Sequence, residues 1–158
     1  MADDRDMIAD LFKALRSSPF LMIGLDDVPD HSQPMTAQLA DESEQSHTLW
    51  FFMRRDDKLA IGGPAMAQYV SKGHDLFACV HGTLSDDRDP AMVDRLWSKQ
   101  VEAWFPGGKS DPNLQLMRYD LHNGEIWEAD VSLSGRFKML FGGTIKPQEA
   151  GSHAEVAL

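Results

Sequence analysis

The stretch Thr48–Lys58, TLWFFMRRDDK, constrains the fold of this chain more than any other. Leu49 to Met53 is an unbroken apolar and aromatic run, short and bounded by a charged turn, and it reads as a buried strand. The strand exits into Arg54, Arg55 and Lys58, three cations close together around Asp56 and Asp57. An aromatic strand that delivers cations at its end suits a ligand with a flat ring at one end and a phosphate at the other. The same residues also suit a core strand followed by a solvated charged turn.

The remaining elements surround that strand. Met7, Ile8, Leu11, Phe12 and Leu15 recur at helical spacing in Asp3–Arg16, with acids near the start and Ser17-Ser18-Pro19 as the stop. Phe20–Leu25 and Pro34–Leu39 form a hairpin across the turn-rich segment Asp26–Ser32, and Asp41–Ser46 is a polar loop. Leu59–Pro64 is a break or one helical turn. Its Gly62-Gly63 lacks the GxGxxG spacing of a dinucleotide loop. Ala65–Ser71 and Leu76–Leu84 are strands. The second puts Phe77, Cys79 and His81 on one face, and Gly82 marks a bulge or a close backbone approach.

Asp89-Pro90 opens a helix with Met92, Val93, Leu96 and Trp97 turned inward, running on towards Val101 and Trp104. Phe105–Pro112 is a tight loop. Leu114–Tyr119 and Glu125–Val131 are two late strands joined by a hairpin at His122-Asn123-Gly124. From Thr144 the composition predicts a loosely ordered tail. The chain therefore reads as one α+β domain over residues 1–143 with a flexible tail over 144–158. It is mainly β: a small antiparallel barrel of six or seven strands with helices packed outside it.

Charge narrows the functions. With 25 Asp and Glu against 15 Lys and Arg, the net charge of -10 argues against a nucleic-acid surface and against docking on anionic lipid. No apolar run approaches the roughly 20 residues that span a bilayer. Acids stand where a signal peptide has its basic region, and a single cysteine excludes an internal disulfide, so a reducing cytoplasm is the expected compartment. The histidines at 31, 47, 74, 81, 122 and 153 form no metal-binding pair. Cys79 has no cation beside it and reads as a buried structural thiol. Trp97, Trp104, Phe105 and Trp127 suit core packing or the wall of a flat ligand equally, since tryptophan is common in both places.

The order Gln33-Pro34-Met35, then LWFF with Lys58 after it, then LWSKQVEAWFPGGKSDP, then EIWE, resembles the bacterial general stress protein family. That family belongs to the pyridoxamine 5'-phosphate oxidase-like, FMN-binding split barrels. The likeness covers roughly Asp3–Val131 and is most specific in Trp97–Pro112. It implies a split-barrel homodimer with FMN at the subunit interface and an oxidoreductase activity of open substrate. It implies that the strand holding Pro34, Met35, Thr36 and Gln38 lies beside the flavin. It implies that Phe52 and Met53 end near the ribityl phosphate, and that Lys58, helped by Arg54 or Arg55, reaches that phosphate. It places Trp104, Phe105 and Trp127 at the cleft, with a second chain as a source for the first pair.

The sequence also departs from that family. Relatives commonly have arginine at the position of Gln33, and its loss removes a charge-assisted bond worth about 1.5–3 kcal/mol. Relatives often carry threonine at Met53 and a serine near Asp56 or Asp57. The alternative reading is a flavin or small-ligand binding module without turnover, in which FMN binding is weakened or lost.

Overall fold

The computed structural model describes residues 3–129 and 151–158. Helix α1, Asp4–Ser17, begins where the Asp3 carboxylate accepts a hydrogen bond from the Arg5 amide at 3.3 Å. Asp4 and Asp6 stand at its positive end and Arg16 at its negative end, and Met7, Leu11, Phe12 and Leu15 form its buried stripe. Strands β1, Phe20–Leu25, and β2, Gln33–Thr36, are an antiparallel pair. A short helix α2, Ser43–Ser46, replaces the expected polar loop, and β3, Thr48–Arg54, follows. A 3₁₀ turn at Lys58–Ile61 leads into β4, Gly63–Val70, and β5, Leu76–Asp86. Helices α3, Pro90–Leu96, and α4, Lys99–Glu102, precede β6, Leu114–Glu128, and Ser152–Ala157 is β7.

The strands run β2-β1-β4-β5-β6-β3 as neighbours, all antiparallel, and β7 pairs with β6. One bridge, Gln38 to Trp50, joins the chain beyond β2 to β3 and closes the ring. The result is a nearly closed barrel with helices around it, as the sequence predicts. Its interior holds Ile23, Phe51, Ala65, Tyr119 and Ile126, all essentially inaccessible to solvent. Burying a side chain such as Phe51 contributes about 2–3 kcal/mol. Tyr119 donates its hydroxyl to the carbonyl oxygens of Ala65 (2.9 Å) and Val80 (3.2 Å), and burial pushes its ionisation well above the usual tyrosine range.

β3 is buried on both faces, which explains its unbroken apolar run. Leu49, Phe51 and Met53 point into the barrel, while Trp50 lies outside with Ala40, Leu96 and Leu116. Phe52 meets Trp97 edge to face at 5.9 Å. α3 is tied to the edge of α2 by Arg95, whose guanidinium donates to both carboxylate oxygens of Glu42 at 2.9 and 2.7 Å. That fork holds the Glu42 carboxyl down to about 2. A depressed carboxylate stabilises the fold above its ordinary value and loses that contribution as pH falls through the folded value. Glu42→Gln is therefore expected to lower the urea midpoint modestly at pH 7, as befits an exposed pair, and to converge with wild type near pH 2, so that the pH dependence between about pH 4.5 and 2 flattens.

Several expectations are corrected. The Asn123-Gly124 pair makes no hairpin, because β6 runs through it unbroken. The glycine serves a close approach instead: a Cβ on Gly124 would stand 2.9 Å from the Cys79 carbonyl oxygen. The α3 helix does not continue past Leu96. Trp97 turns extended (ψ 137°), and Ser98 starts α4 by accepting from the Val101 amide at 3.2 Å. Cys79 is half buried on the outer face of β5 rather than enclosed. Of the expected tail, Ser152–Ala157 is a strand whose Ala154 and Val156 alternate inward, a period-2 signal in a short polar context. The end of the expected strand Glu125–Val131 and the tail's start at Thr144 fall outside the described residues.

Candidate functional site

β2 and β3 are neighbours around the ring but are laddered only at Gln38 and Trp50. Below that bridge the two strands separate, and they meet again only through side chains. Gln33, at the start of β2, donates its amide to both carboxylate oxygens of Asp57 at 3.0 Å. Lys58 donates its Nζ to the His31 carbonyl oxygen at 2.6 Å and lies 3.4 Å from the Asp30 carboxylate. The barrel is thus split along one seam, with β2 on one lip, the end of β3 on the other, and a lysine at the mouth.

Local sequence explains this geometry. Asp57 caps the 3₁₀ turn by accepting from the Leu59 amide at 2.9 Å, and so aims Lys58 back at the residues leading into β2. Pro34 and Thr36 are exposed on their lip, and Met35 packs against the barrel core. Pro34 has no amide proton to offer and suits a strand that is not fully laddered on both sides. On the other lip Met53 is buried in the barrel. Arg54 pairs with Asp56 at 3.0 Å, and Arg55 donates its Nε to the Pro112 carbonyl oxygen at 2.7 Å.

Gln33, Pro34, Met35, Thr36, Gln38, Met53 and Lys58 therefore belong to one seam, while Arg55, just past the end of β3, turns to Pro112 and the cavity described below. Phe52 turns away from the barrel interior, towards Trp97. Phe105 is buried with Val101 and Leu114, whereas Trp104 beside it is 79% exposed. Trp127 stands on the outer face of β6, stacked on His153 with ring centres 5.0 Å apart. Leu114, at the other end of β6, pairs with Arg54, so Trp127 lies roughly 40 Å along the strand from the cations. Trp127 and Lys58 thus lie near opposite ends of β6. Asp57, Asp30 and the His31 carbonyl are members of the seam that the sequence reading did not assign. The signal for Asp57 was its cap position one residue before Lys58.

Two further surfaces accompany the seam. A cavity of about 570 Å³ opens beside Arg55, walled by Arg88, Pro90, Val93, Asp94, Lys109 and Leu116. Two of its cations are already paired, Arg88 with Asp86 at 2.6 Å and Lys109 with Asp94 at 2.9 Å. On the outer face of the sheet, Val70, Phe77 and Trp127 lie in one row across β4, β5 and β6, and Phe20, Met22 and Met66 extend the exposed apolar surface. Among the described residues, no group of three or more His, Cys, Asp or Glu could hold a metal ion, and no helix is long and apolar enough to cross a membrane.

Comparison with known proteins agrees with this fold. The general stress FMN/FAD binding protein of Xanthomonas citri is 44% identical, with a TM-score of 0.74 over 82% of this chain and 93% of its own. A general stress family protein of Xanthomonas campestris pv. campestris is also 44% identical, with a TM-score of 0.75 over 84% and 94%. General stress protein 26 of Jannaschia is 26% identical, with a TM-score of 0.79 over 97% and 99%. No curated protein matches the chain. The family model described as pyridoxamine 5'-phosphate oxidase like matches residues 3–147, and with a split barrel beneath that match the chain belongs to this family.

Proposed function

We propose that this protein binds FMN in the seam between β2 and β3 and acts as a flavin-dependent oxidoreductase. The observation that carries the reading is the split itself: a barrel laddered at Gln38–Trp50 and then open, with Lys58 at its mouth. The residues present fit such a group. An exposed strand lip, Pro34 to Gln38, offers a flat edge for the ring system, with Met35 behind it, and Lys58 and Arg55 offer cations at the phosphate end. To reach a phosphate, the Lys58 ammonium exchanges its contact with the His31 carbonyl for a charge-assisted bond. When bound, FMN supplies the hydride or electron transfer, while the protein positions it and limits access to it. The Xanthomonas citri relative is an FMN/FAD binding protein, which supports the choice of cofactor.

The reading includes a second copy of the chain. In this reading a second protomer brings the exposed Trp104 and Trp127 to the seam. The exposed row Val70, Phe77 and Trp127 offers a surface for that contact, since contiguous apolar patches of this kind mark association sites. Phe77→Glu is expected to turn a dimer into a monomer in sedimentation equilibrium. The cytoplasm remains the proposed compartment, on the single half-exposed thiol.

The test is an absorption spectrum of the purified protein followed by FMN titration with fluorescence quenching. Flavin bands or saturable quenching support the reading, and a colourless protein that ignores FMN sinks it. A second reading, a flavin or small-ligand module with weakened FMN binding and no turnover, is favoured by the acids at the phosphate end, Asp30 and Asp57 among them. Anaerobic addition of NAD(P)H separates the two: reduction of the flavin band and its return in air mark an oxidoreductase.

A further inference from the structure

Each cation at the mouth of the seam already has a partner, but one of its acids has no cation. Lys58 is engaged by the His31 carbonyl and Asp30, Arg54 by Asp56, and Arg55 by the Pro112 carbonyl. Asp57 forms no ion pair among the described residues. Its carboxylate is held by neutral donors alone, the Gln33 amide on both oxygens at 3.0 Å and the Leu59 amide on Oδ1 at 2.9 Å. Neutral donors fix a carboxylate in place without cancelling its charge. Counted together, Asp30, Asp56 and Asp57 balance Arg54, Arg55 and Lys58, so an incoming phosphate meets no net positive charge.

We infer that Asp57, clamped by Gln33, is the residue that limits affinity for the phosphate of a flavin nucleotide at this site. The inference rests on the flavin reading above and deepens it. A fixed negative charge next to Lys58 repels a phosphate dianion and leaves an uncharged ring system unaffected. The residue therefore sets how strongly the site distinguishes a phosphorylated flavin from riboflavin, and it does so through charge rather than shape. Gln33 is a positioning residue here, since it acts by holding the carboxylate on the seam side of the turn.

Asp57→Asn tests this with little disturbance, because asparagine caps a helical turn about as well as aspartate and still meets the Gln33 side chain. Asp57→Ser serves as a second variant that also keeps the cap. Dissociation constants for FMN and for riboflavin are measured by flavin fluorescence for the full-length wild type and both variants, with urea midpoints to confirm folding. The expected result is FMN binding about tenfold tighter in both variants, with riboflavin affinity changed less than about twofold, because one charge facing a dianion across a few ångströms of partly wet surface is of that order. Unchanged or weaker FMN binding in a folded variant overturns the inference while leaving the flavin reading intact, provided the wild type binds FMN. An equal gain for riboflavin also overturns it, since the effect would then be steric. Failure of the wild type and both variants to take up either flavin overturns the flavin reading and the inference with it.

Discussion

Gly82→Ala is expected to cost about 3 kcal/mol of folding free energy, the upper end of what overpacking a well-ordered interior does. A Cβ on Gly82 would stand 2.2 Å from the Asp120 carbonyl oxygen and 3.0 Å from the Tyr119 ring. The nearest obstacle is backbone in the neighbouring strand, so no side-chain rotation relieves it. The position is also where the β5–β6 register slips: His81 pairs with Asn123 but Gly82 with Leu121, which leaves His122 as the extra residue of a bulge. Thr83 then meets His122 at 2.8 Å on the bulged side. Moving β6 away to admit a methyl group would pull Tyr119 off the Ala65 and Val80 carbonyls that anchor it across the barrel. The urea midpoint should fall with the slope of the transition unchanged, which marks a loss of stability rather than a change in denatured-state compactness. A midpoint within error of wild type would show that the strands can separate there without penalty.

Lys58→Met is expected to weaken FMN binding by about ten- to a hundredfold, which corresponds to the roughly 1.5–3 kcal/mol of a charge-assisted bond. Methionine keeps much of the unbranched stem and removes the ammonium. Lys58 is about one-third exposed at its side chain and its present ion pair with Asp30 is 3.4 Å long, so the folded state loses little. Riboflavin, which has no phosphate, should bind both proteins alike. Isothermal titration of each flavin against each protein reads the effect directly. If FMN affinity were the same in the variant, the phosphate would not lie at the mouth of the seam, and the cavity beside Arg55 with Lys109 on its wall would be the next place to look.

Much of this architecture was legible because local signals and tertiary context agree. The run Leu49–Met53 reads as a buried strand, and it is one, with helices covering the face that the barrel does not. The α1 stripe and the Asp89-Pro90 start are local devices, and both lie where they are expected. Asn123-Gly124 misled because glycine has two uses: it permits a tight turn, and it permits two backbones to approach. The sequence around it is the same in both cases, and only the partner strand decides. β7 was missed for the opposite reason. Its alternation covers only Ala154 and Val156, and it gains its place from an edge of β6 that no local signal reveals. In the seam, Lys58 was recognisable from the cations at the end of β3. The Gln33–Asp57 contact joins positions 24 apart and emerges only when β2 and the 3₁₀ turn are brought side by side.

The packing of α1 has a consequence for how the protein is made. Its apolar stripe rests on β7, β6 and β5, so α1 is covered by strands translated well after it, β7 among them. At about 5–20 residues per second, Met7, Leu11, Phe12 and Leu15 wait roughly 10–30 s for that cover. During synthesis the helix is an exposed amphipathic segment of the kind that chaperones bind, and its cover is complete only once β7 has emerged.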